Sequence, residues 1–209
     1  MNTKRFGLLA LVLVLVAGSG AAFAADEVKG DPYPLDHCVM SGKQFAEDAE
    51  PVVVIHEGRE IKFCCNGCKG KFEADPAAVL SKLDGEIVEQ QKDKYPLNTC
   101  VVSGKEIAEG EGNDYVYNNR YVKLCCAGCE SKVEGDPAKY IGEVDAAVIK
   151  AQEGSYASKT CPVSGEELGS MGEPVKLVVA NQLVELCCKG CTKKVKSNPA
   201  KYLSMVSGE

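Results

Sequence analysis

Sulfur is the residue chemistry that this chain repeats. Its 12 cysteines fall into three groups of four. A lone cysteine (Cys38, Cys100, Cys161) is followed downstream by a Cys-Cys-x-Gly-Cys block: Cys64, Cys65 and Cys68; Cys125, Cys126 and Cys129; Cys187, Cys188 and Cys191. The lone cysteines are 62 and 61 residues apart, and the blocks 61 and 62. A period that constant means one structural unit copied three times.

Three chemistries use sulfur at this density. Four thiolates make a complete tetrahedral set for a thiophilic ion such as zinc. An even number of cysteines in a secreted chain also suits a disulfide framework. Cys65-x-x-Cys68, Cys126-x-x-Cys129 and Cys188-x-x-Cys191 have the spacing of thiol-disulfide oxidoreductases, but the surrounding βαβ sheet of those folds is missing from the pattern. No Ser-His-Asp set, phosphate loop or recurring carboxylate pair indicates an enzyme. His37 and His56 occur in the first repeat alone, and Met40 is replaced by Val102 and Val163. His37 is left as a residue that joins or flanks the first site, His56 as an exposed hairpin residue, and Met40 as packing.

The elements that must present the sulfurs follow in a fixed order. Each lone cysteine opens a short turn closed by Gly42, Gly104 or Gly165, where a positive φ is affordable. Three hairpins come next. Val52–Ile55 and Ile61–Phe63 flank Glu57-Gly58, Tyr115–Tyr117 and Tyr121–Leu124 flank Asn118-Asn119, and Lys176–Val179 and Leu183–Leu186 flank Asn181. The second strands alternate, with Ile61, Phe63, Val122, Leu124, Val184 and Leu186 buried and Lys62, Lys123 and Glu185 facing solvent. Each strand runs into its cysteine block, which opens a helix carrying Phe72, Val133 or Val195 on the face of the last cysteine. Asp75-Pro76, Asp136-Pro137 and Asn198-Pro199 read as cap and first turn of a second helix. Val79, Leu80 and Leu83, Tyr140 and Ile141, and Tyr202 and Leu203 give those helices their apolar faces. Asp84–Lys94 extends the first of them, and Asp145–Ala151 is helical. The acidic run Glu106–Glu111 reads as a solvated loop. Packing between the repeats is left open.

A turn-borne cysteine, a hairpin and a cysteine pair at a helix start is the order of a treble-clef zinc site. The expected fold is therefore α+β, with three tandem treble-clef-like modules at 31–90, 95–152 and 156–209. At these residues the chain resembles the TRASH/YHS family of small metal-binding domains. The resemblance rests on the cysteine in its Gly-ended turn, the hairpin, Phe63-Cys64-x-x-x-Cys68, and Pro-x-x-Tyr-Leu at Pro199–Leu203. It implies modules that bind or sense copper or other heavy metals, about one ion per repeat, through Cys38, Cys64 and Cys68; Cys100, Cys125 and Cys129; and Cys161, Cys187 and Cys191. Many relatives carry a second cysteine in the turn, where this chain has Ser41, Ser103 and Ser164. A neutral hydroxyl is a poor ligand for a soft metal. Cys65, Cys126 and Cys188 restore the count to four if the chain bends sharply beside them; otherwise each site has three sulfurs. Adjacent strand residues point to opposite faces, so these three are the less secure ligands.

Composition agrees with small stapled modules. The chain has 209 residues, no Trp and 6% aromatics, so each repeat has a thin core. Lys4 and Arg5, the apolar run Phe6–Val16 and Ala22-Phe23-Ala24 predict a cleaved signal peptide over 1–24, hence a secreted or periplasmic protein. Without Lys4 and Arg5 the balance is 22 basic against 30 acidic side chains. That disfavours nucleic acid and anionic membranes as partners and is compatible with attracting metal cations, though such a balance more often simply keeps a secreted protein soluble. The cysteine sites point to metal ions as partners, with sequestration, buffering or delivery as the roles and a non-catalytic disulfide-stapled structural or interaction protein as the alternative.

Overall fold

The computed structural model describes residues 30–46 and 50–207. The signal-peptide expectation lies outside that range. The fold is α+β, a run of two-stranded hairpins each followed by short helices. β1 (Val52–His56) pairs with β2 (Arg59–Phe63), and α1 (Asn66–Ala74) and α2 (Pro76–Gln91) follow. β3 (Asn113–Tyr117) pairs with β4 (Arg120–Leu124), then come α3 (Glu130–Gly135) and α4 (Pro137–Gln152). β5 (Val175–Val179) pairs with β6 (Gln182–Leu186), ahead of α5 (Thr192–Ser197) and α6 (Pro199–Val206). Among the described residues no helix is long and apolar enough to cross a membrane.

The hairpins turn through two residues with positive φ: Glu57 and Gly58, Asn118 and Asn119, Ala180 and Asn181. Left-handed pairs match the strand twist, and Asn and Gly tolerate them best. Asp75 Oδ1 accepts from the Ala78 N–H at 3.2 Å, Asp136 from Lys139 at 3.2 Å and Asn198 from Lys201 at 3.4 Å, each with Pro at the first helical turn. These caps satisfy amides that the helix geometry leaves unpaired.

Each repeat has its own small core. Ile61, Phe63, Phe72, Leu83 and Ile87 fill the first, Val122, Leu124, Val133, Val144 and Val148 the second, and Val184, Leu186, Val195 and Leu203 the third. Tyr121 of the second repeat also packs into the first core, and Val178 of the third into the second. The repeats are therefore packed together rather than strung out.

The joint between repeats is itself repeated. The Asn119 turn inserts beside the first hairpin: Arg59 Nε donates to Asn119 Oδ1 at 2.8 Å, and Asn119 Nδ2 donates to the Glu60 carbonyl at 2.9 Å. Gln91, the last residue of α2, donates to the Asn119 carbonyl at 3.0 Å and accepts from the Tyr121 N–H at 2.9 Å. One repeat later, Asn181 Nδ2 donates to the Tyr121 carbonyl at 2.9 Å. Gln152 ends α4, donates to the Asn181 carbonyl at 2.9 Å and accepts from the Leu183 N–H at 2.8 Å. Arg120, in the place of Arg59, is 1% exposed. It binds Asp31 with Nε at 2.8 Å and Nη2 at 3.1 Å, reaches Asp145 of α4 with Nη1, and donates to the Val178 carbonyl at 3.1 Å.

Several expectations are corrected by this packing. The intervening face of β2 is not solvated: Lys62 is buried because its ammonium donates to the Ser197 carbonyl of the third repeat at 2.8 Å. Lys123 is half-buried against Asp114, and Glu185 is half-buried. α4 buries Val144 and Val148 rather than Tyr140 and Ile141, which are only half-buried, because one continuous 16-residue helix presents its later turns to the core. Ile107, in the acidic loop, is buried in the second core. His56 is half-buried, edge-on to the Phe72 ring at a centroid distance of 5.2 Å.

Candidate metal centre

The lone cysteines sit in turns held by two backbone bonds. Cys38 N–H donates to the Lys43 carbonyl at 2.9 Å, and Gly42 N–H returns to the Cys38 carbonyl at 2.8 Å. The same pair recurs at Cys100 with Lys105 and Gly104, and at Cys161 with Glu166 and Gly165. Gly42, Gly104 and Gly165 have φ of 67°, 69° and 76°, a region that L side chains enter at a cost. A single ladder contact (His37 with Gln44, Thr99 with Glu106, Thr160 with Glu167) closes the base of each turn.

The cysteine blocks lie where the second strand gives way to the helix. Cys65, Cys126 and Cys188 are extended, with φ of −166°, −165° and −158°, and their carbonyls accept from the N–H of Cys68, Cys129 and Cys191. The flanking cysteines of each block therefore turn toward the lone cysteine, and the middle one turns out.

Three sulfurs converge in each repeat. Cys38, Cys64 and Cys68 lie within 4.8 Å of one another, as do Cys100, Cys125 and Cys129, and Cys161, Cys187 and Cys191. Individual separations are 3.7 Å for Cys64 to Cys68, 3.8 Å for Cys100 to Cys129, 3.7 Å for Cys125 to Cys129 and 3.8 Å for Cys187 to Cys191. An ion with metal–sulfur bonds of about 2.3 Å and tetrahedral angles holds its sulfurs about 3.8 Å apart. The donor set and its spacing therefore fit a thiophilic ion. None of the 12 cysteines is joined in a disulfide in this structure.

The middle cysteines lie beside these triads. Cys126 Sγ is 3.8 Å from both Cys125 and Cys129, Cys65 Sγ is 3.9 Å from Cys64, and Cys188 Sγ is 3.8 Å from Cys191. None belongs to the three-sulfur group of its repeat. Cys65 and Cys126 are exposed and Cys188 half-exposed, whereas the lone cysteines are buried.

The serines that replace a turn cysteine touch the triads. Ser41 Oγ is 3.3 Å from Cys64 Sγ, Ser103 Oγ is 3.4 Å from Cys125 Sγ, and Ser164 Oγ is 3.3 Å from Cys187 Sγ. Each hydroxyl also accepts the N–H two residues on. The serine hydroxyl is a hydrogen-bond partner of a triad sulfur, a role that Cys-x-x-Ser-Gly, repeated three times, signals in the sequence only once the sulfurs are seen to meet.

The thiols of a triad ionise unequally. Burial pushes Cys38 up, but the N–H of Cys64 and the hydroxyl and N–H of Ser41 outweigh it and bring the thiol down to about 7. In the second repeat burial is overcome by the Ser103 hydroxyl and the Cys125 N–H, and Cys100 falls to about 6. Cys161 falls to about 6 through the Cys187 N–H and the Ser164 hydroxyl. Cys68, Cys129 and Cys191 are pushed up to about 12, by burial first and then by neighbouring thiols. The sulfurs of a triad are close enough to titrate together, so the proton losses belong to the triad and not to one cysteine.

His37 lies outside the first triad. Its ring is held between Asp36 Oδ1 and Glu86 Oε2, each at 2.8 Å. Burial works against its charge, but the two carboxylates outweigh it and raise its pKa. Met40 packs on the first core. No family model, curated protein or solved structure matches the chain.

Proposed function

We propose that this is a non-catalytic metal-binding protein of three TRASH/YHS-like, treble-clef modules, each holding one thiophilic ion, zinc or copper. The observation that carries the reading is the convergence of three sulfurs, at ligand spacing, in all three repeats. Three thiolates and a nearby hydroxyl suit a soft ion that tolerates low coordination, or zinc with one position open. The role is sequestration, buffering or delivery, in the periplasm or outside the cell, where the signal-like N-terminus would send the chain.

Elemental analysis and a free-thiol count test this on protein purified without reductant. The expected result is about three ions per chain, with the triad thiols reacting only after chelation. An ion-free protein with unreactive sulfurs would overturn the reading in favour of a disulfide-stapled structural protein. Cys68→Ser is expected to leave two ions per chain; retention of three refutes the ligand assignment.

A further inference from the structure

The cysteine beside each triad is an addition to the three-sulfur set. Its position is the same in all three repeats: at the strand-to-helix corner, outside the triangle, against one edge. Cys126 is the plainest case, 3.8 Å from both Cys125 and Cys129 yet outside the three-sulfur group of its repeat. It thus meets the ligand spacing to two triad sulfurs from a solvent-facing position. The sulfur is open to solvent at Cys65 and Cys126 and half-open at Cys188. The residue two positions on is glycine in each repeat, and a Cβ at Gly67, Gly128 or Gly190 would stand 3.7, 3.8 or 3.7 Å from that sulfur, so glycine leaves this side of it uncrowded. The lone cysteine, by contrast, is closed off on the far side of the triangle.

We propose that Cys65, Cys126 and Cys188 are exchange ligands, through which the ion passes between the triad and a thiol outside the protein. The proposal rests on the metal-binding reading above. In the step, the outer thiol loses its proton to water and its thiolate bonds the ion. The bond from the ion to a block cysteine, Cys64 or Cys68 in the first repeat, breaks, and that thiolate takes up a proton. An external thiolate then bonds the ion as the bond to the outer sulfur breaks, and a second external thiolate completes the transfer as the bonds to the remaining block cysteine and the lone cysteine break and those thiolates take up protons. No electron moves, and the ion is held by sulfur throughout. Associative exchange of this kind needs a nucleophile that reaches the ion without first opening the site, and an edge-lying sulfur meets that condition.

The test uses the reduced full chain loaded with copper(I) under nitrogen, beside the variant C65S/C126S/C188S. Transfer to a coloured copper(I) chelator is followed with glutathione as the external thiol. Both proteins are expected to bind three ions, and the variant to release them at least tenfold more slowly. Iodoacetamide on the loaded natural chain should label three thiols, mapping to Cys65, Cys126 and Cys188, a readout that needs no variant. Equal release rates at equal loading would overturn the proposal. So would a variant that binds fewer ions, or protection of the outer thiols in the loaded chain, since either makes the outer sulfur a resident ligand. Failure of the natural chain to bind copper(I) or zinc would instead remove the metal-binding reading itself.

Discussion

At the residue scale, a turn serine helps to lower the ionisation of each lone thiol. The lone thiols ionise at about 6 to 7 in the folded chain, below their ordinary value of 9.0. A lowered folded pKa stabilises fully above the unfolded pKa, and that stability is lost as pH falls through the folded pKa. The helix-start thiols, raised to about 12, act oppositely and penalise folding above 9. The melting temperature of the reduced, metal-free protein is therefore expected to rise from about pH 6 to a maximum near pH 9, then fall. Thermal melts across that range check it; a flat or falling profile between pH 6 and 9 refutes it. Ser103→Ala removes the strongest hydrogen bond lowering Cys100, so the first thiolate of the second repeat should appear at higher pH by ultraviolet absorbance. An unmoved titration would make the backbone amides sufficient. The meeting of serine and sulfur was hidden in the sequence, where Ser41, Ser103 and Ser164 read as places a ligand had vacated.

At the element scale, the turn and the hairpin carry the design. No atom beyond the immediate chain neighbours lies within 4 Å of where a Cβ would stand on Gly104, and its φ is 69°. Gly104→Ala therefore acts through backbone conformation alone, at a cost of about 1–2 kcal/mol. Denaturant titration of the metal-free chain measures it; no loss would mean that the turn relaxes. Hairpins, caps and the helix start were legible because each depends on a few adjacent residues, Asn118-Asn119 or Asp136-Pro137 for example. The faces of those elements were legible only where local periodicity decides them. Lys62 looked solvated because its partner, the Ser197 carbonyl, belongs to a different repeat, and Tyr140 and Ile141 looked like core because α4 is longer than its first apolar pair suggests. The triads were half legible: the resemblance to TRASH/YHS domains implied the nine cysteines, but only the backbone bend at Cys65, Cys126 and Cys188 sets the middle sulfurs apart from them.

At the scale of the whole molecule, Arg120 binds the three repeats together. Its guanidinium meets Asp31 from the first repeat, Asp145 from its own, and Val178 and Asn181 from the third. Burial works against its charge, and the two carboxylates more than offset this. Arg120→Met would leave Asp31 and Asp145 without their cation, a loss of about 3–5 kcal/mol for breaking a buried pair. In a chain of this size that lowers the melting temperature by roughly 6–20 °C. An unchanged melt would show that the third repeat does not depend on this residue. No local sequence pattern announces Arg120, since Arg59 stands at the same place and Gln182 at the next. The consequence reaches the sites. Because one guanidinium ties the three folds together, an ion bound in any one of the proposed sites would stabilise the whole packed fold and not its own repeat alone. On this view the protein behaves less as three separate cups than as one vessel with three wells.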